Sequence, residues 1–385
     1  MLVRMQNGYL KCILMVFVMN KNKLSNHIIF VLPSLRGGGA ERVFVQLANK
    51  FANNDFEVSL ILLEETGPLA EILDNKVSVK SINVSKARYA YWKLLEILKS
   101  LQPDVIYTTH DRVNILVALM KPFLPNKTKL FIRQTNVLSV YLEQHSFMKR
   151  LIKKVVYGLT YNLANGIITQ CGEMKEDLTA VLHRLKRPIY YIYNPLNIEY
   201  IKCQMTKFNP YENKDQKVVV SAGRLVEQKD FKTLILAFSE VVKVYHNTIL
   251  YILGDGSLKG DLEKLINSLN LKNSIILTGY VQNPYPYYHY AKLFVLSSKY
   301  EGFPNVLLEA LATGVNIIST GCRTGVKEIM DNAGLIDNTV AVGDVIALKD
   351  KILEKLVNEE TAITNTEIYD INNVFEKYVD ITVYS

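Results

Sequence analysis

Short runs of consecutive apolar residues alternate along this chain with longer stretches whose apolar positions recur every three or four residues. Residues 28–32, 58–63, 105–108, 130–133, 167–170 and 190–193 read as strands in the first half. Residues 218–222, 249–253, 274–277, 293–296 and 315–319 do so in the second. Helical periodicity fills the gaps, for instance over 40–53 and 92–101. Strictly alternating strands and helices predict parallel sheets covered on both faces. The pattern pauses only over 194–217, a polar, proline-containing stretch that reads as the boundary between two such units.

Length agrees with that division, because 385 residues suffice for two domains with separate cores. A hydrophobic content of 49% and a charged content of 21% are those of an ordinary globular protein. Cys12, Cys171, Cys203 and Cys322 are scattered, with no Cys-x-x-Cys pair to suggest a disulfide framework or a zinc site. A reducing, cytoplasmic setting is expected from this. Residues 1–200 carry 26 Lys and Arg against 15 Asp and Glu, while the remainder carries 19 against 22. The basic half suggests an anionic partner, and with no nucleic-acid motif in view the expectation is a membrane surface. The apolar run 12–19 is too short to span a bilayer. Residues 1–25 therefore read as a disordered or mis-assigned extension, with Met19 as a possible start.

The chemistry concentrates near the end of the chain. Glu301 and Glu309 stand eight positions apart around a helix that Pro304 is expected to open, Pro being suited to a first turn. The amides of Asn305, Val306 and Leu307 would face outward at the positive end of that helix, a seat for a diphosphate. Glu309, inside the helix, would hold a ribose diol, and Glu301, on the loop before it, a sugar hydroxyl. A lone pair of glutamates is more often a solvated loop residue and an exposed helix residue. Here a second phosphate-type signal lies upstream. Arg224 and Lys229 follow the apolar run 218–220 and Gly223, with Asp230 expected as the N-cap of the next helix. Ligands of open α/β sheets bind beyond the carboxyl ends of strands, where these two cations would grip phosphate oxygens.

Gly223-Arg224-Leu225, Lys229-Asp230-Phe231, Leu253-Gly254-Asp255-Gly256, Leu277-Thr278-Gly279-Tyr280-Val281 and the Glu301–Glu309 segment recur in one order over 218–344. Together they resemble the retaining glycosyltransferases of family 4, and Gly37-Gly38-Gly39-Ala40-Glu41-Arg42 looks like that family's first glycine loop. The resemblance implies the GT-B fold, two Rossmann-like α/β domains facing across a cleft. These would be 26–194 for the acceptor and 217–366 for the nucleotide sugar, joined by a linker at 195–216, with 367–385 as a helix that would cross back to the first domain. It also implies that Gly38, Gly39, Gly223 and Gly254 border the donor, that Tyr280 and Val281 offer backbone groups to the base, and that Gly302, Phe303, Asn305 and Val306 line the diphosphate. His110, just past a strand, would contact the transferred sugar and act with Glu301, Arg224 and Lys229. Arg133 and Asn136, after the following strand, are candidates to meet the acceptor. Asn316 departs from the family's usual proline, and 321–328 matches loosely.

No Asp-x-Asp or His-Glu-x-x-His occurs, so no metal or other cofactor is expected and Arg224, Lys229 and helix amides would neutralise the departing diphosphate. Residues 145–157 form a basic amphipathic segment in which Lys149, Arg150, Lys153 and Lys154 oppose Leu151, Ile152, Val155 and Val156. Such a helix can lie on an anionic bilayer or simply pack its apolar side on the sheet. The resulting expectation is a cytoplasmic enzyme, peripheral on the inner face of the plasma membrane. It would move a sugar from a nucleotide donor, expected to be UDP-linked, to a lipid-linked or growing glycan in cell-surface polysaccharide synthesis. A GT-B sugar-nucleotide epimerase and a non-catalytic nucleotide-sugar-binding protein are the alternatives.

Overall fold

The computed structural model describes residues 26–64, 67–84, 87–211, 215–357 and 365–384, so the expectation for 1–25 lies outside the described residues. Seven strands form the first sheet: β1 (His27–Leu32), β2 (Glu57–Leu62), β3 (Ser78–Ser81), β4 (Val105–Thr109), β5 (Lys129–Arg133), β6 (Gly166–Thr169) and β7 (Ile189–Tyr191). Six form the second: β8 (Lys217–Ala222), β9 (Thr248–Leu253), β10 (Ile275–Gly279), β11 (Leu293–Leu296), β12 (Asn316–Thr320) and β13 (Thr339–Val340). Their orders are β3-β2-β1-β4-β5-β6-β7 and β10-β9-β8-β11-β12-β13, and the pairs are parallel throughout. Each expected strand is present with its ends shifted by two residues at most. The edge strands β3 and β13 have no counterpart in the hydrophobic pattern: every residue of β3 is exposed, and β13 is two residues long.

Side chains of the central strands divide by alternation. Ile28, Phe30 and Leu32 of β1 face the Gly39–Ala52 helix through Phe44, Leu47 and Phe51. Ile29 and Val31 face the opposite core, which Leu94, Leu98 and Val117 fill from two other helices. In the second sheet Val220 joins Leu307 and Ile317 on one face, and Val219 joins Leu234 and Phe238 on the other. Strand order reverses between β1 and β4 and again between β8 and β11, and crevices open at such reversals.

Two segments behave differently from a simple two-part chain. The stretch expected as linker is not open. Asn197 accepts a hydrogen bond from Tyr200 N at 3.0 Å and starts the helix Ile198–Met205, whose Ile201 is buried with Leu196 in the core of the second domain. The helix Ile371–Tyr384 returns to the first domain, where Val374, Phe375, Tyr378 and Val379 share a core with Phe30 and Tyr107. Thr382 Oγ1 lies 2.7 Å from the Tyr107 hydroxyl.

Candidate active site between the domains

At the first reversal, the loop after β1 meets the loop after β4. Gly37 has φ +105°, a conformation that favours glycine. A Cβ on Gly38 would stand 2.1 Å from Glu41 Oε2. Glu41, in the first helical turn, places Oε1 3.2 Å from His110 Nε2. His110 itself has φ +70° at the end of β4. Burial would raise the Glu41 pKa, but the hydrogen bond and charge of His110, with a backbone hydrogen bond and Arg224 adding less, outweigh it and hold the carboxyl below its ordinary range.

The second reversal carries a matching pair. Lys229 Nζ is 2.5 Å from Glu301 Oε1, which also accepts from Ser298 Oγ at 2.6 Å, while Gln228 Nε2 approaches Oε2 at 3.3 Å. Glu301 is only 6% exposed, so it is no solvated loop residue. Lys229 is thus a charge already paired, whereas Arg224 is exposed and its charge acts on Glu41 of the other domain. A Cβ on Gly254 would fall 2.0 Å from the Gly223 carbonyl oxygen, so only glycine lets the β8 and β9 loops touch. Tyr280 is 60% exposed beyond β10 and Val281 is half-buried.

Between these pairs sits the helix Asn305–Ala312. Pro304 precedes it in an extended conformation, as the cap rather than the first helical residue. Its carbonyl accepts from Leu307 N at 3.1 Å, so Leu307 is not one of the outward amides; those of Asn305 and Val306 have no backbone acceptor among the described residues. The Asn305 side chain crosses the cleft, donating to Gly39 O at 3.1 Å and accepting from Asn194 Nδ2 at 2.6 Å. Phe303 is buried, and its carbonyl accepts from Asn194 as well. Glu309 is 7% exposed, so it too is no surface residue. Burial pushes its carboxyl up and Arg42, with Nη1 3.7 Å away on the first domain, opposes this. That spacing leaves the carboxylate oxygens capacity for further donors.

Two further expectations need correction. Arg133 does not face an acceptor: it is 2% exposed, and its guanidinium donates to Asn194 Oδ1. It is a buried cation supporting the Asn194–Asn305 link, and burial lowers its pKa. Asn136, by contrast, is exposed beside Asp111. Asp230 does not cap the amides of its helix; it is left-handed at φ +46° and its carboxylate accepts from Thr233 Oγ1 at 2.8 Å. Glu41, Arg42 and Asn194 are the residues that sequence reasoning passed over. Glu41 and Arg42 stand inside the first glycine motif, and their signal was their place in the first turn of the helix that Gly39 opens. Asn194 carries no local signal, because all its partners are remote.

Comparison with known proteins bears on this geometry. The model described as "Glycosyltransferase Family 4" matches residues 37–200, and "Glycosyl transferases group 1" matches 204–366. A Campylobacter jejuni protein, the N-acetylgalactosamine-N,N'-diacetylbacillosaminyl-diphospho-undecaprenol 4-alpha-N-acetylgalactosaminyltransferase, is 30% identical over 352 residues, 88% of this chain and 94% of its own. The chain belongs to the family 4, group 1 glycosyltransferases. This glycosyltransferase is also 35% identical over 255 residues to a Methanocaldococcus jannaschii glycosyltransferase, spanning 62% of this chain and 61% of that one. Anabaena HepE, solved in complex with UDP-glucose, superposes with a TM-score of 0.76 at 17% identity, covering 92% of this chain and 98% of HepE. The enzyme therefore has the GT-B fold, and its paired switch points are the two walls of the GT-B cleft.

Proposed function

We propose that this glycosyltransferase moves a hexosyl or N-acetylhexosaminyl group from a UDP-linked donor to a lipid-linked or growing glycan acceptor. Configuration at the anomeric carbon is retained, and the product serves cell-surface polysaccharide synthesis. The observation that carries the reading is the meeting of the Asn305–Ala312 helix terminus with Gly39. Beside it lie the amides of Asn305 and Val306, which no backbone carbonyl among the described residues takes up, the Lys229–Glu301 pair at the loop before the helix, and the exposed Arg224 on the loop after β8. A diphosphate there is neutralised without a metal ion. The C1–O bond to the diphosphate breaks, C1 bonds to the acceptor oxygen, and the acceptor proton leaves with the diphosphate.

The lipid-linked acceptor is supported by the Campylobacter relative, whose name specifies a diphospho-undecaprenol substrate. Attachment at the inner face of the plasma membrane is supported by the helix Phe147–Tyr161. Phe147, Met148, Leu151, Ile152, Val155 and Leu159 of that helix point to solvent among its basic residues. No helix among the described residues is long and apolar enough to cross a membrane.

A UDP-sugar panel with a polyprenyl-diphosphate glycan acceptor tests the reading, with the product anomer read by NMR and EDTA present throughout. Transfer with retained configuration is expected. An inverted product, or activity lost to EDTA and restored by a divalent ion, overturns it.

A further inference from the structure

Two helices begin where the domains meet, and the first turn of each is completed by a glutamate from the other. The helix Gly172–Val181 follows β6 in the first domain, and Gly325–Asn332 follows β12 in the second. Glu328 Oε2 accepts from Gly172 N at 2.9 Å, and Glu173 Oε2 accepts from Thr324 N. Amides at helix starts lack intrahelical acceptors, and a carboxylate there also meets the positive end of the dipole. A capping box ordinarily closes within four residues. Here the partners are 156 and 151 positions apart, so both caps exist only while the domains are closed on each other.

Thr324 ties one of these caps to the site. Its φ of +84° is unfavourable for a β-branched residue, so contacts must hold it. Glu173 holds its amide from the first domain. On the other side the Thr324 hydroxyl is directed at the carbonyl oxygens of Glu301 and Gly302, and Gly325 N donates to Gly302 O at 3.0 Å. The loop carrying Glu301 is therefore fastened to a residue whose own conformation depends on a glutamate of the opposite domain.

We propose that Glu173 is a positioning residue for sugar transfer. Through Thr324 it sets the Glu301 loop as the cleft closes, so that Glu301 is aligned only in the closed enzyme. The inference rests on Glu301 facing the transferred sugar, as read above. Glu173 touches none of the groups assigned to UDP, all of which lie on the second domain and the first glycine loop.

Steady-state kinetics of the full-length enzyme and calorimetry with UDP test it. Glu173→Ala is expected to lower kcat about tenfold or more, the cost of losing a hydrogen bond to a charged group, with UDP affinity unchanged. Glu173→Asp, too short to reach Thr324 N, should behave alike and replaces the alanine variant if that fails to fold. Glu173→Gln keeps the acceptor oxygen and should restore most of kcat. Thr324→Gly should cost a similar factor, and the double variant Glu173→Ala/Thr324→Gly should be no slower than the worse single one. Multiplying losses, or a fall in UDP affinity that matches the fall in kcat, overturns the proposal. The underlying reading fails separately, if Glu301→Gln weakens UDP itself and leaves turnover intact.

Discussion

At Gly302 the two domains leave no room for a side chain. A Cβ there would lie 2.4 Å from the Thr135 carbonyl oxygen, which is backbone of the opposite domain and cannot rotate away. Gly302→Ala should therefore hold the cleft open. Overpacking of this kind costs about 1–3 kcal/mol, and kcat should fall by roughly one to two orders of magnitude with little change in Tm. A variant with native kcat would show that closure does not bring these backbones together. Glu41 makes a prediction in pH. Its folded pKa lies below the ordinary range, so its contribution to stability is present above the unfolded pKa and is lost as pH falls through the folded one. The Tm advantage of the native enzyme over Glu41→Gln should be largest near neutrality and fade on acidification. A gap that widens in acid would contradict the assignment.

On the scale of single elements, the helix Phe147–Tyr161 takes the first of its two expected orientations, with its aliphatic residues outward. Only Tyr157, Thr160 and Tyr161 are buried, so its aliphatic residues do not serve the core. Lys153 folds back onto Tyr141, with Nζ 2.8 Å from its hydroxyl and 4.7 Å from the ring centroid. Replacing both Leu151 and Ile152 by Glu should leave stability within about 0.5 kcal/mol, the usual range for surface positions. Co-sedimentation with anionic phospholipid vesicles should fall about tenfold or more, since each side chain forfeits apolar burial. Undiminished binding would remove this helix from the membrane contact.

Across the whole molecule, the last helix makes the first domain depend on the end of the chain. The Phe375 ring packs edge-on against Phe51 with centroids 4.8 Å apart, although 324 positions separate the two. Phe375→Ala should cost about 3–5 kcal/mol, as for other buried phenylalanines. The one tryptophan, Trp92, belongs to the first domain, so its fluorescence during denaturant unfolding follows that domain selectively. Unfolding of the first domain unaffected by the substitution would mean that the helix does not stabilise it.

The sequence by itself determined the two α/β units, their parallel strands and the loop and helix that carry Glu301 and Glu309 in turn. Those features rest on local periodicity and on short motifs, which neighbouring residues are enough to impose. The glycine loops were legible for the same reason. Glu309, Glu301 and Lys229 were recognisable as chemistry, but not as the ion pairs they form. Only the tertiary structure decided that Arg133 is buried, that Asn305 reaches Gly39, that Glu173 caps a helix of the other domain, and that the amphipathic helix turns outward. Each of these depends on how two domains or two layers are set against each other. A buried charge, a crossed cap and an exposed aliphatic face have the same local sequence as their ordinary counterparts. Only partners sixty or more residues away, or their absence on one side, tell them apart.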